Sequence, residues 1–290
     1  MSAKSKLHEL ANKRNGGILL LVSILIFTMF YLSNYAKNPS DKPIVVIVPS
    51  YNNIKWHEKN LEMLTAQNKA YKNWRAIYID DCSPDGTGDA VEKYIKEHNL
   101  ENQIKLLKNK QRKGALENVY NAIYSCKNNE VVVICDGDDW FKDENVLSLI
   151  NKTYQSKNIW MTYGQYEIYP SGKVGHCQQI PDMVIKQNEF RKYKWCSSHL
   201  RTFYAGLFKK IKKKDLQFQG KFLSAATDMA AMFPMLEMSG DHAKFIPEVL
   251  YVYNQDNPIN VYKTRLKEQL WLDRVVRSRQ KYDRVESIVS

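Results

Sequence analysis

Residues 131–140 read VVVICDGDDW, an apolar run that is followed at once by three carboxylates within four positions. The apolar part is typical of a strand that is buried on both faces of a sheet. Carboxylates at close range raise each other's pKa, and the usual remedy is a bound cation. The stretch therefore predicts a buried strand that places Asp136, Asp138 and Asp139 together at the end of a sheet.

Upstream of this stretch, strand and helix patterns alternate, which predicts an α/β fold with a mainly parallel sheet flanked by helices. A first strand starts at Ile44 in IVVIVPS and is expected to close at Pro49. The remaining predicted elements are helix 56–72, strand 76–80, helix 90–98, strand 104–108, helix 115–126 and, after Asp143 as N-cap, a helix through Tyr154.

Beyond residue 159 the pattern is less regular. WMTYGQYEIYPSG predicts a hairpin-like pair, HLRTFYAGLF predicts another strand, and DMAAMFPMLEM predicts a helix that Pro234 interrupts.

Residues 256–290 are expected to form a basic amphipathic helix with Leu266, Leu270 and Val276 along one side. This helix either packs on the domain or lies on an anionic membrane surface.

The N-terminal region contains GGILLLVSILIFTMFYL, an uncharged run about as long as a bilayer core requires. It predicts a transmembrane helix over 16–33 between a tail, 1–15, and a linker, 34–43. The tail is richer in Lys and Arg than the linker, so the positive-inside bias predicts a cytosolic N-terminus. The protein is then a single-pass type II membrane protein, with its main domain lumenal or extracytoplasmic. The alternative is a cleaved signal peptide, but the run is long for one and no A-x-A site follows it.

The chain has 290 residues, 44% of them hydrophobic, which is enough for a sizeable core. Its formal net charge of +12 favours anionic partners. No Lys/Arg block interleaved with aromatic residues points to a nucleic-acid groove, so nucleic acid is not expected as a partner. The five cysteines form no C-x-x-C pair, so we expect buried free thiols rather than disulfides or a zinc site.

Polar groups follow three of the predicted strands, after Pro49, Ile79 and Cys135. The carboxyl ends of parallel strands share one edge, where ligands of open α/β sheets bind. Oxygen ligands select a hard cation, Mg²⁺ or Mn²⁺, which commonly bridges substrate phosphates. The expected ligand is a diphosphate.

Four motifs in this order, VVIVPSYNN, YIDDCSPDGT, KGALENVYNAI and VVVICDGDDW, resemble the family 2 glycosyltransferases. The resemblance covers residues 44–255 and implies a GT-A (Rossmann-like) domain with a mixed, mainly parallel sheet. It also implies metal-dependent transfer of a sugar from a nucleotide diphosphate donor, a UDP-sugar being favoured, to an acceptor hydroxyl with inversion. The acceptor is a glycan, a lipid or a protein.

The resemblance implies roles for individual residues. The implied donor contacts are Tyr51 at the base, Asp81 at the base or ribose, Gly114, Asn118 and Asp136. Asp138 is implied as the more direct metal ligand, with Asp136 at the ribose or the metal. Asp139 is either a supporting group or a turn residue. After YVYN, where many relatives supply a histidine ligand, the chain has Gln255-Asp256-Asn257.

Asp228 corresponds to the family's acidic residue that accepts the proton of the acceptor hydroxyl, and its alternative role is a helix N-cap. His199 and Arg201 in SSHLRTF are placed to contact a phosphate or the acceptor. Two other functions compete with transfer. A sugar nucleotidyltransferase needs a glycine-rich loop after the first strand, and PSYNNIKW has no glycine. An inactive carbohydrate-binding membrane protein would keep the fold without turnover.

Overall fold

The computed structural model describes residues 41–288. The predicted tail and membrane helix, and residues 34–40 of the predicted linker, lie outside the described residues. Among residues 41–288, no helix is long and apolar enough to cross a membrane.

The strands are β1 Ile44–Ser50, β2 Trp74–Asp80, β3 Ile104–Lys108, β4 Val131–Ile134, β5 Trp140–Phe141, β6 Met161–Tyr169, β7 Lys173–Val174, β8 Arg201–Tyr204, β9 Gln217–Phe218, β10 Lys221–Phe222 and β11 Ala243–Asn254. The α-helices are α1 His57–Ala66, α2 Thr87–Glu97, α3 Ala115–Tyr124, α4 Val146–Tyr154, α5 Asp182–Gln187, α6 Ala205–Phe208, α7 Thr227–Ser239, α8 Val261–Thr264 and α9 Leu266–Arg277.

Within the described residues, nine strands form one mixed sheet in the order β3-β2-β1-β4-β8-β6-β11-β5, with β7 beside β6. Strands β1 to β4 are parallel, whereas β8 is antiparallel to both β4 and β6. β9 and β10 form a separate hairpin. The expected α/β fold with a mixed sheet and flanking helices is confirmed.

The uninterrupted apolar sequence of β1 follows from burial on both faces of the sheet. Val45 and Ile47 pack in one core with α3 and α7, and Val46 packs in a second core with α1, α2 and α4. Pro49 does not close the strand, because it still pairs with Ile79 in register.

The helix expected over 56–72 ends at Ala66, and three further elements also differ from the sequence-based prediction. The strand expected over 199–208 ends at Tyr204, because the N–H of Ala205 donates to the carbonyl of Glu130 and the chain turns into α6. The N-cap of α4 is Asn145 rather than Asp143. The helix expected through residue 290 ends at Arg277.

The prediction that Pro234 interrupts a helix was wrong. α7 runs unbroken from Thr227 to Ser239, and its residues from Pro234 to the end are buried. A proline removes one backbone hydrogen bond, and here tertiary packing of the whole helix outweighs that local loss.

The predicted apolar side of the C-terminal helix was right for Val276 and wrong for Leu266 and Leu270. Leu272 and Val276 are the buried residues of α9, whereas Leu266 and Leu270 are each about half exposed, at 51% and 52%. The helix carries apolar residues on two sides, and its sequence alone does not show which side packs on the domain.

A buried ion pair holds α9 against the rest of the domain. Both oxygens of the Glu237 carboxylate, on α7, accept from the Arg191 guanidinium at 2.6 and 2.8 Å. Arg191 also donates to the carbonyl of Val276 at 2.6 Å. One buried cation therefore links the loop after α5 to α7 and to α9.

Candidate active site

The loops after β1, β2 and β4 meet because their strands are parallel and in register. Ser50 lies opposite Asp80, and the N–H of Asp81 donates to the Ser50 carbonyl at 2.8 Å. The N–H of Gly137 donates to the Pro49 carbonyl at 3.0 Å. A Cβ at Gly137 would lie 2.5 Å from the Ser50 hydroxyl. Residues 136–139, here called the acidic turn, therefore approach β1 only because residue 137 has no side chain.

These loops border a cavity of about 600 Å³, which is the size of a small-molecule site. All nine candidate residues named from the sequence line it. They are Tyr51, Asp81, Gly114, Asn118, Asp136, Asp138, His199, Arg201 and Asp228. The structure thus brings together groups from six separate segments of the chain.

Asp81 is a buried carboxylate surrounded by donors. Its oxygens accept from the N–H groups of Lys113 and Gly114 at 2.9 and 2.7 Å and from the Asn109 amide at 2.8 Å. Burial alone would raise the pKa of Asp81, but the hydrogen bonds outweigh it and the pKa lies below its ordinary value. Asp81 is therefore ionised and locks the loop before α3.

Gly114 joins that loop to α3 with φ +90°, a conformation that residues with side chains rarely adopt. Asn118 lies one turn later and is buried; its Oδ1 accepts from the Asn109 amide at 2.8 Å, and a hydrogen bond from Asn118 to the Asp81 carboxylate helps to lower the pKa of Asp81. The Asn118 side chain therefore supports Asp81 at the cavity wall.

The prediction of buried thiols fails for one cysteine. Cys82 is exposed, whereas Cys126, Cys135, Cys177 and Cys196 are free and buried. Cys82 directly follows Asp81 in a left-handed turn, φ 61°, that carries its side chain out of the core.

The three carboxylates of the acidic turn have different environments. An oxygen of Asp136 accepts from Arg201 Nη2 at 3.2 Å, and an oxygen of Asp138 accepts from the Asn257 amide at 2.7 Å. Asp139 is 1% exposed. Its carboxylate accepts from the Tyr251 hydroxyl at 2.7 Å and the Asn254 N–H at 2.8 Å. Asp139 therefore ties the turn to β11 rather than facing a ligand.

Burial and mutual repulsion disfavour charge on this turn. Burial, followed by the charge of Asp136, raises the pKa of Asp138 to about 6. The pKa of Asp136 is also raised, by burial and by the charge of Asp228, against the opposing effect of Arg201. Arg201 alone therefore does not supply enough positive charge to balance Asp136 and Asp138.

Asp136 and Asp138 fit a hard divalent cation, since both offer carboxylate oxygens at the cavity wall. A second grouping brings ligand atoms of Asp136, Asp139 and His199 within 4.8 Å of one another. It fits less well, because both oxygens of Asp139 are already hydrogen-bonded to β11.

His199 and Arg201 reach the cavity from the start of β8. The antiparallel register sets Arg201 opposite Ile134, just before the acidic turn. Arg201 is buried, and its Nε has no partner among the described residues. The His199 ring stacks on Tyr251 at 4.4 Å, and burial, followed by the charge of Arg201, holds its pKa well below the ordinary value. A neutral His199 packs beside a charged Arg201.

Asp228 lies in the first turn of α7, and the N-cap of that helix is Ala226. The alternative role of Asp228 as an N-cap is therefore wrong. Its Oδ1 accepts only the adjacent Met229 N–H, at 2.9 Å, among the described hydrogen bonds. The charge of Asp228 acts to raise the pKa of both Asp136 and Arg201, which line the same cavity.

Sequence reasoning missed three residues of the site. The Arg112 guanidinium lies 3.7 Å from the centre of the Tyr51 ring, a cation–π contact at the cavity. Asn257 takes the place where a histidine ligand was sought and instead positions Asp138. Tyr253 also lines the cavity. The basic pair Arg112-Lys113 before Gly114 was a usable signal for Arg112, but the other two depend on the path of β11.

Comparisons with known proteins give one family. A sequence model of the family described as glycosyl transferase family 2 matches residues 45–216, more than half of the chain.

Two curated relatives have related names. The chain is 26% identical over 181 residues to glycosyltransferase GlyG of Streptococcus pneumoniae serotype 4, covering 59% of this chain and 57% of GlyG. It is 31% identical over 104 residues to the putative teichuronic acid biosynthesis glycosyltransferase TuaG of Bacillus subtilis, covering 36% of this chain and 39% of TuaG. The matches span less than two thirds of either relative.

Two solved structures share the architecture. S. aureus TarS 1–349 in complex with UDP-GlcNAc superposes with a TM-score of 0.58 at 17% identity, covering 80% of this chain and 66% of that chain. The mannosyltransferase PcManGT of Pyrobaculum calidifontis, in complex with GDP-Man and Mn²⁺, gives 0.55 at 18% identity, covering 83% and 66%. At these identities the similarity shows the fold alone, which is GT-A-like.

Proposed function

Because the chain belongs to glycosyl transferase family 2, a family of transferase enzymes, we propose that it transfers a sugar from a nucleotide diphosphate donor to an acceptor hydroxyl. One observation carries the proposal: Asp81, Asp138 and Asp228, from three separate segments, line one cavity. The cavity volume of about 600 Å³ suits a nucleotide sugar.

The nucleoside would occupy the end of the cavity formed by the loops after β1, β2 and β3. Tyr51 offers a ring face to the base, with Arg112 beside it. The ionised Asp81 would accept a hydrogen bond from the base or ribose, and Asn118 beside it would contact the same nucleoside. A UDP-sugar is the favoured donor, and UDP-GlcNAc bound to TarS is a related case.

The diphosphate would lie at the acidic turn and Arg201. Asp136 and Asp138 would hold Mn²⁺ or Mg²⁺, which when bound supplies positive charge beside the leaving diphosphate. Mn²⁺ in the PcManGT complex supports this assignment by analogy. Arg201 is fixed by Asp136, and its unpartnered Nε would donate to a phosphate oxygen.

Asp228 would act as the general base. Its carboxylate accepts the proton of the acceptor hydroxyl as that oxygen bonds to the anomeric carbon. The bond from the anomeric carbon to the diphosphate breaks in the same step, and its electron pair leaves with the diphosphate. Attack opposite to the leaving group inverts the anomeric configuration without a covalent enzyme intermediate.

The setting of the reaction is part of the proposal. The apolar run over 16–33 would anchor the chain in a membrane as a type II protein, with the domain lumenal or extracytoplasmic. The acceptor would be a glycan, a lipid or a protein.

A panel of UDP- and GDP-sugars tests the proposal on the full chain in detergent. One donor with Mn²⁺ should raise the melting temperature, since a ligand of the folded state stabilises it. The same donor should release its nucleoside diphosphate when acceptors are added. If no donor stabilises the protein and none is consumed, the domain is a binding module and not a transferase.

A further inference from the structure

The helix α9 has an exposed apolar side as well as a buried one. Leu266, Leu270 and Trp271 are about half exposed, with Trp271 at 48%. Leu266 and Leu270 are four positions apart and so lie on one side of the helix, and Trp271 extends that side around the helix by one position. Ile259 and Tyr262, just before the helix, are also exposed. Large apolar groups gathered on one surface indicate a contact with another apolar phase or molecule.

Exposed charges on the same side of α9 are basic. Lys267 and Arg274 are exposed there, and Lys263 is exposed just before the helix. We name the set Ile259, Tyr262, Lys263, Leu266, Lys267, Leu270, Trp271 and Arg274 the C-terminal face.

The acidic residues of α9 already have hydrogen-bond or ion-pair partners. Glu268 bonds to Ser224 and to Arg265, and the Asp273 carboxylate lies 2.6 Å from Arg277 Nε. Neither therefore offsets the positive charge of the C-terminal face.

A lysine-rich segment extends this basic surface. Residues 209–214 read KKIKKK, and the Lys213 ammonium lies 5.5 Å from the centre of the Phe222 ring. Phe222 belongs to the β9–β10 hairpin, whose Phe218 ring meets the Trp271 ring edge-on at 4.9 Å. Contacts thus run from the lysine segment through the hairpin to the C-terminal face.

Leu and Trp beside Lys and Arg on one side of a helix are typical of helices that lie in the interface of a bilayer. Each basic residue near an anionic leaflet adds to the attraction between the helix and the membrane. A second copy of this chain would present the same positive charges and would repel the surface. Charge therefore favours an anionic bilayer over self-association.

The membrane anchor proposed over residues 16–33 would place a bilayer within reach of the domain. The uncharged run ends at Leu32, and β1 begins at Ile44. The 11 residues between them span at most about 40 Å when fully extended. A domain tethered so closely to an apolar run would meet a membrane surface at high local concentration.

We propose that the C-terminal face docks on an anionic lipid bilayer. Ile259, Tyr262, Arg265 and Gln269 of the same segment line the rim of the cavity. Docking therefore brings the cavity rim to the lipid surface, where membrane-borne molecules can enter. The docking itself does not depend on the proposed sugar transfer.

Tryptophan quenching by brominated lipids tests the proposal on the full chain reconstituted in phosphatidylcholine–phosphatidylglycerol vesicles. The apolar run at 16–32 contains no tryptophan, so any quenching reports on the rest of the chain. We expect quenching that Trp271→Phe abolishes. Absence of quenching, or equal quenching in Trp271→Phe, would overturn the proposal, the second because another tryptophan would then face the lipid.

Charge and position are tested with paired variants. In the mixed vesicles, Lys267→Glu/Arg274→Glu should reduce the quenching by at least about tenfold. The wild-type chain in vesicles of phosphatidylcholine alone should show the same reduction. The matched control, Val174→Glu/Met183→Glu, changes two apolar residues that are exposed elsewhere and should leave the quenching unchanged. If only the control variant reduces quenching, or if the face instead forms a concentration-dependent dimer that Leu270→Glu abolishes, the bilayer is not its occupant.

Discussion

Residues 44–134 bring Tyr51, Asp81 and Asn118 to the cavity from loops and a helix turn that directly follow parallel strands. Residues 160–277 bring Arg201 and Asp228 to the same cavity by a different route. Arg201 reaches it through the antiparallel pairing of β8 with β4, and Asp228 through a helix buried along most of its length. In the first region chemistry follows from local order along the chain, whereas in the second it depends on distant contacts.

The comparison predicts that the two regions fail in different ways when they are altered. A change in the first region should weaken donor binding. A change in the second should impair turnover at Asp228, or the fold where long-range contacts hold it.

The largest expected effect is on turnover. Asp228→Asn should lower the transfer rate by about 10²–10⁴-fold, because the acceptor hydroxyl loses its proton acceptor. Donor affinity should not change. The measurement is the steady-state transfer rate, with Asp182→Asn as the control, an exposed acid in the first turn of α5 outside the cavity. Unaltered turnover would remove Asp228 from the mechanism.

The next effect is on stability. Glu237→Ala leaves Arg191 buried without its partner, so the free energy of unfolding should fall by about 3–5 kcal/mol. Urea unfolding measures it. Glu189→Ala, which breaks the exposed pair with Lys192, should cost at most about 1 kcal/mol. Equal losses in both variants would show that the second region is not held by this buried pair.

A smaller effect is expected at the donor end. Asp81→Asn replaces an ionised acceptor with a neutral amide opposite two backbone N–H donors. Donor affinity should fall by about 10–100-fold, the loss expected for a charged hydrogen bond. Calorimetry with the donor sugar measures this, and turnover at saturating donor should remain within about tenfold of the wild type. A fall in turnover with affinity intact would place Asp81 at the reacting centre.

The smallest effect is a pH dependence at Asp138. Its pKa of about 6 lies above that of an unfolded aspartate, so folding takes up a proton at intermediate pH. Stability from this group therefore falls as pH rises from about 4 to about 6. Without a cation, Asp138→Asn should melt higher than the wild type at pH 7 and equally at pH 4. Mn²⁺ should stabilise the wild type at pH 7 and not at pH 4, and a pH-independent Mn²⁺ effect would contradict the assignment.

The same difference between the two regions decides what the sequence predicts. β3 was predicted with its observed bounds, and Tyr51, Asp81 and Asp138 line the cavity as expected, because each follows a buried apolar run. Pro234 was misjudged because burial of α7 outweighs a local preference.

Two further features of the second region were beyond prediction. The buried side of α9 depends on contacts with α7 and the chain near Arg191, which no local pattern encodes. Asn257 meets Asp138 only because Asp139 ties the acidic turn to β11. Both result from residues that are far apart in the chain.

The most direct test of the shared cavity is the thermodynamic coupling between Mn²⁺ and the nucleotide. Calorimetry on the full chain would measure UDP and GDP affinities with and without Mn²⁺. If the acidic turn and the nucleoside pocket serve one donor, Mn²⁺ should tighten binding of one nucleotide by about tenfold or more. Asp138→Asn should abolish that coupling, and Asp228→Asn should keep it. Equal affinities with and without Mn²⁺ in the wild type, or coupling that survives in Asp138→Asn, would contradict a single site.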